Sequence, residues 1–257
     1  MSNFNWNNIL ELPPSALTGG KRLPKTVLIE QAGLTKSEQK VLNKIGCIEH
    51  FATVQKSTTR IPPFIDATQN IQSIVFLRCE TRESKAYGEI SRLLHKCFPN
   101  PTVILFEGIG DICISIAKTR NSLSEKGEIV VDTIETTSPM NPHAIEIIPF
   151  FHSLSFKNLP QENLMIYLEE MMWNINLSHT IESIGFFPKC PIHRRAELNK
   201  RLEIQIDINK EVERLSDLRR ANKNLTLNES AQLRIKEHHL KQELINAIDS
   251  VKEICSD

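Results

Sequence analysis

The sequence carries no surplus of either charge. Its 31 Lys and Arg balance 31 Asp and Glu, so no global field draws the chain to nucleic acid or to a membrane, and only local patches could do so. Aromatic residues reach only 6%, too few for a protein that grips single strands by stacking bases on rings. No apolar run approaches the roughly 18 residues of a spanning helix. The opening "MSNFNWNNILELPP" has neither the basic nor the apolar region of a secretory signal. These absences predict a cytoplasmic protein with no membrane partner.

Motifs of chemistry are equally scarce. The six cysteines are scattered without a C-x-x-C, as reduced cysteines in a cytosolic protein often are. "CPIH", Cys190 to His193, offers two zinc ligands where a structural site needs four. His238 and His239 are neighbours, so on a helix they point about 100° apart and cannot share a ligand. There is no G-x-S-x-G and no G-x-x-x-x-G-K-[ST]. The one glycine pattern, "EGIGD" at Glu107 to Asp111, has Cys113 where a dinucleotide loop needs its third glycine, and an alternating β-branched run follows it. It reads as a hairpin turn. No cofactor and no metal site are expected.

What is present is an α+β pattern. The start, to about Pro24, reads as irregular. A helical pair follows, in which Thr35 and Glu38 form a capping-box signature and Val41, Leu42 and Ile45 an apolar side. "IQSIVFLRCE" reads as a buried strand and "ESKAYGEISRLLHKCF" as a helix, stopped by "PNP". "TVILF", "ICISIAK" and "GEIVVDTIETT" read as further strands. The order implies one βαβ-like unit and then a hairpin. A helix with a wide apolar face, Leu164 to Ile175, closes a first domain of residues 1–190. Residues 191–257 are Glu-, Lys-, Arg- and Leu-rich without a glycine. Stripes at Leu198, Leu202, Ile208, Val212 and Leu215, and from Leu233 to Ile254, predict two helices. Thr226 and Glu229 give the second helix its capping box. The whole reads as a small mixed sheet with packed helices, followed by an antiparallel, coiled-coil-like helical hairpin.

Two sets of residues are candidates for function. "CETRESK" supplies Glu80 and the E-x-K pair Glu83 and Lys85, with Asp66 upstream as a first acid. Such a set could hold a divalent metal and water in a restriction-type nuclease. The plainer reading is a solvated loop between strand and helix. "VQKSTTRIPP" offers Lys56 and Arg60 among hydroxyls; Arg194 and Arg195 mark the hairpin base, and Arg219, Arg220 and Lys223 its tip. Cations so placed suit phosphate contacts on DNA, although ordinary surface charge looks the same.

"LPPSALTGGKRLPKTVLIEQAGLT", "ATVQKSTTRIPP", "IQSIVFLRCETRES" and "ISRLLHKCFPNPTVILFEGIGDICISIAKTR", in this order and ahead of the charged helical tail, resemble a bacterial family catalogued as a domain of unknown function. The resemblance implies an accessory protein of restriction or phage-defence islands, encoded near DNA methyltransferases and helicases. It implies those enzymes as partners, double-stranded DNA as a candidate ligand and the helical tail as a candidate homodimer contact. The family carries Glu-x-Leu-Lys at the end of its central strand. "CETRESK" departs from this, so no catalytic residue is carried over. The leading expectation is a non-enzymatic subunit; a nuclease of degraded type is the alternative.

Overall fold

The computed structural model describes residues 4–83, 86–122, 129–221 and 226–255. Contacts divide the chain into two compact units, Met1–His179 and Thr180–Asp257.

The first unit begins with α1 (Asn7–Leu10), β1 (Leu17–Arg22), α2 (Lys25–Gln31), α3 (Lys36–Asn43) and the long strand β2 (Ile45–Gln55). A single turn, α4 (Lys56–Thr59), and a small ribbon of β3 (Phe64–Ile65) with β4 (Asn70–Ile71) lead to β5 (Ser73–Thr81). Then come α5 (Tyr87–Cys97), β6 (Thr102–Glu107), β7 (Ile112–Asn121), β8 (Ile129–Thr136), α6 (Ile148–Ser153) and α7 (Leu164–Ser178). Six strands form one mixed sheet in the order β1-β2-β5-β6-β7-β8. Among the described strands only β5 and β6 run parallel, joined by the α5 crossover as the strand–helix–strand pattern predicts.

The sheet is covered on both faces, and β6 is accordingly buried from Thr102 to Phe106. Leu77, Cys79, Ile104 and Phe106 meet Ile90 and Leu94 of α5 and Leu42 of α3 in one core. On the other face α7 packs on β5 and β7, burying Leu164, Leu168, Met171 and Ile175. Each such side chain contributes about 1.5–3 kcal/mol by leaving water.

Two local expectations are corrected. Leu17–Arg22, read as irregular, is edge strand β1, paired antiparallel to β2. Its Gly19 and Gly20 have φ of +74° and +73°, which is why "LTGGKR" lacks a strand signature. Ile45, read as part of a helix's apolar side, starts β2 and pairs with Thr81.

The second unit holds α8 (Ile181–Ile184), α9 (Arg195–Ala221) and α10 (Leu227–Cys255). It begins ahead of the composition break at Pro191 because the intervening segment packs with the helices. Ser183 Oγ donates to Gln205 Oε1 at 3.5 Å, and the Lys252 ammonium lies 6.0 Å from the Phe186 ring centre. Leu198, Leu202, Val212 and Leu215 of α9 face Ala247, Val251 and Ile254 of α10 along a buried seam. Among the described residues, no helix is long and apolar enough to cross a membrane.

Candidate functional site

Parallel strand β6 ends in Glu107 and β5 has Glu80 one residue before its end, the two standing side by side in register. The carboxyl ends of parallel strands are where open α/β sheets bind ligands, so these carboxylates are the first place to look for chemistry. Arg78, two residues back on the same face of β5, sits among them. Its Nε and Nη2 donate to Glu107 Oε1 and Oε2 at 2.6 and 2.8 Å. Nη1 donates to Glu49 Oε2 at 3.0 Å, and Nη2 to Glu80 Oε1 at 3.1 Å. The Trp6 indole N–H donates to Glu107 Oε1 at 2.9 Å. The hydrogen bonds that Arg78 donates to Glu107 are the main reason that the Arg78 pKa lies above the ordinary arginine range. Bidentate, charge-assisted bonds of this kind are strong and directional. They commit the carboxylates to clamping β2, β5, β6 and the N-terminal segment together.

The β6–β7 turn adjoins this clamp. Gly108 N donates to Asp111 O at 2.9 Å, closing the hairpin read from "EGIGD". The two glycines have different duties. Gly110 supplies the left-handed conformation, with φ +86°. Gly108 instead makes room: a Cβ there would overlap Tyr87 Oη and Asp111 Oδ1. Those two atoms are hydrogen-bonded at 2.6 Å, with Tyr87 donating. Burial, then this bond, raises the Tyr87 pKa. A recess of about 440 Å³ opens beside the turn, lined by Phe4, Asn8, Asp111, His143 and Phe151 among others. Both acids bordering it, Glu107 and Asp111, are engaged as described. Among the described residues, no group of three His, Cys, Asp or Glu side chains is arranged to hold a metal ion.

A serine–histidine contact also proves structural. His95 Nε2 lies 2.9 Å from Ser115 Oγ, but the two residues are 1% and 0% exposed, so no substrate reaches them.

Of the nuclease alternative's residues, Asp66 stands apart from Glu80. Asp66 Oδ1 accepts from the Thr68 and Gln69 amides, each at 2.7 Å, and these bonds, the Thr68 amide first, hold its pKa low. That turn is tied to Asn121, at the far end of β7, by the bond from Asn121 N to Thr68 O. Glu80 aligns through Glu107 with Ile112, at the near end of β7. Roughly 30 Å of strand, at about 3.4 Å per residue, separates the two ends. Glu83 lies 3.7 Å from Lys44 Nζ. Lys85 lies outside the described residues.

The basic candidates are divided between the two units. Lys56 and Arg60 are exposed at either end of α4. Their neighbouring hydroxyls fold the loop: Thr58 Oγ1 donates to Thr53 O at 2.7 Å and Thr59 Oγ1 to Gln55 O at 3.0 Å. Arg194 Nη1 donates to Ile254 O at 3.5 Å, and Arg195 is likewise engaged. Arg219 turns into the hairpin and pairs with Glu237 of α10 at 3.0 Å. Arg220 lies 4.0 Å from Asp217 and is largely exposed. Lys223 lies outside the described residues.

Both units expose large apolar side chains, Ile65, Ile109 and Ile145 on the first among them, and the hairpin carries its own set. Ile204, Ile206, Ile235 and Ile245 are 57%, 38%, 70% and 51% exposed, off the seam that holds the two helices together. Ile235 lines a shallow recess on α10 with Leu240, Lys236, His239 and Glu243. Ile204 and Ile206 point about 200° apart on α9, so the recess at Ile235 and Leu240 is the one place where apolar exposure is rimmed by charge on the described hairpin, the pattern that marks contact surfaces.

A family model described as a domain of unknown function (DUF4391) matches residues 10–244. Neither the curated proteins nor the solved structures yield a match.

Proposed function

The chain belongs to the DUF4391 family, and we propose that it acts as a non-enzymatic accessory subunit of a bacterial anti-phage or restriction-like complex. The second unit is its dock for a helicase or DNA methyltransferase partner. The observation that carries this reading is the set of four exposed isoleucines on the hairpin. A two-helix seam does not use them, and water gains nothing from them. A solvated hairpin of this charge content would place polar residues there.

Two further features support the reading. Glu107 is closed on the Arg78 guanidinium and the Trp6 indole, and Glu80 accepts one hydrogen bond from Arg78. Asp66 and Glu80 stand at opposite ends of the sheet, so the nuclease alternative has no assembled acidic pair. A cytoplasmic setting fits the six free cysteines. Lys56 and Arg60 are the first candidates for duplex contact.

The test is co-purification of the full-length chain from its native host, read for a helicase or a DNA methyltransferase in the recovered complex. Ile235→Glu with Ile245→Glu should abolish recovery of the partner while leaving the melting temperature unchanged. Undiminished recovery would remove the hairpin as the dock. A dimer of the chain alone that this double substitution dissolves would reassign the surface to self-association.

A further inference from the structure

Strand β8 ends the sheet, and no described strand pairs with its outer side. The alternation along β8 is unusual for an exposed edge. Ile134 pairs with Ala117 and Val131 with Thr119, which places both on the α5 side of the sheet, where Ser115 meets Ser91 and His95. Ile129 is 42% exposed, and Val131 and Ile134 are half-buried. Helix α5 therefore covers only part of this face. The remaining gap is a groove of about 420 Å³ between α5 and β8, which Phe98 also lines.

The groove has a definite charge. Among the described residues, Arg92 and Lys96 line it and no carboxylate does. Lys96 is held by Glu38 at 2.7 Å, which leaves exposed Arg92 as its anchor. His95, also in the lining, is 1% exposed and has no hydrogen-bond partner for Nδ1. The opposite face of β8 carries two acids: Asp132 pairs with Arg120 at 3.0 Å, and Glu135 accepts from Asn176 at 3.3 Å.

We propose that β8 and this groove receive an extended segment of a partner protein by strand addition, with apolar and acidic side chains directed at α5. Each feature answers one requirement of such a ligand. The unpaired edge offers main-chain donors and acceptors. The apolar groove takes alternate side chains, and Arg92 takes a carboxylate. Acidic groups on the far face of β8 disfavour a segment with carboxylates on both sides, so the segment's faces are distinguishable. Of the devices that usually blunt such an edge, β8 has no lysine or proline and carries one irregularity of register between Val131 and Thr133.

The test uses a displayed library of random peptides of about eight residues, the length of β8, selected on the full-length protein. Enriched peptides should carry apolar or acidic residues at alternate positions. Synthetic copies, titrated by fluorescence anisotropy, should bind about tenfold or more weakly to Arg92→Glu, an exposed substitution that leaves the melt unchanged. Ile134→Asp should also weaken them. No enrichment, or binding that survives both substitutions, would overturn the proposal. So would a concentration-dependent dimer of the chain that Arg92→Glu disrupts, because the groove's occupant would then be a second copy.

Discussion

Glu107 closes both carboxylate oxygens on the Arg78 guanidinium, at 2.6 and 2.8 Å, with the two side chains only 10% and 13% exposed. Removing one partner of such a pair strands the other away from water, whereas removing both need not. Arg78→Met should therefore cost about 3 kcal/mol in urea denaturation. Arg78→Met with Glu107→Leu should recover much of that loss, since Glu49 and Glu80 are 26% and 33% exposed and can hydrate. A double variant as unstable as the single one would show that the clamp is more than a matched pair.

Gly108→Ala should destabilise by about 2 kcal/mol, in the range of forced overpacking. The added methyl collides with Tyr87 Oη and Asp111 Oδ1, so the same substitution should cost less in a Tyr87→Phe background. Equal costs in the two backgrounds, measured by thermal unfolding, would mean that the turn rather than the tyrosine is what suffers.

His95 sets an acid limit. Burial lowers its pKa from an ordinary 6.5 to about 3. Between those values the unfolded chain binds a proton that the native imidazole refuses. The contribution is full above pH 6.5 and is lost as the pH falls toward 3, by at most about 1.4 kcal/mol per pH unit. His95→Gln should flatten the stability profile in that window relative to the parent. Parallel profiles would show that His95 titrates normally.

Duplex affinity, measured against salt, should separate the cations. Lys56→Ala and Arg60→Ala should each reduce the slope by about one. Arg219→Ala should leave the slope unchanged, because its guanidinium is committed to Glu237. A reduced slope in Arg219→Ala alone would move the contact to the hairpin tip.

Local signals were legible in the sequence, and cross-strand ones were not. Thr35 with Glu38, and Thr226 with Glu229, form the capping bonds their spacing predicts. The β5–α5–β6 crossover and the β6–β7 hairpin follow the predicted order. Arg78 stands in plain view in "IVFLRCE", but its partners Glu49 and Glu107 are each 29 residues away. Only the strand register brings them together, and one sequence does not contain the register. The hairpin shows the same limit. Its apolar stripe passes over Gln205, which the structure places fully buried on α9.

The hairpin's own polar seam gives the last test. Glu237 is 4% exposed on α10, and it meets Arg219 of α9 at 3.0 Å and Lys241, one turn on, at 2.6 Å. A buried charge on a helical seam disfavours every register that leaves it unpaired. The Lys241 hydrogen bond is the main reason that its pKa lies below the ordinary glutamate value of 4.5. The stabilisation it brings is thus present above that pH and is lost as the pH falls further. Arg219→Glu sets two carboxylates face to face and should lower the melting temperature at pH 7. The penalty should shrink toward pH 4 as the pair takes up a proton. Adding Glu237→Arg restores opposite charges across the seam, but it places a second cation beside Lys241. The swap should therefore recover part of the loss and not all of it. Glu237→Leu should hold or raise the melting temperature, because Arg219, 36% exposed, can turn to solvent. The same change should broaden the oligomer distribution in sedimentation, as the constraint on register is gone. A charge swap no more stable than Arg219→Glu, with Glu237→Leu still a single species, would remove the ion pair as the determinant of hairpin register.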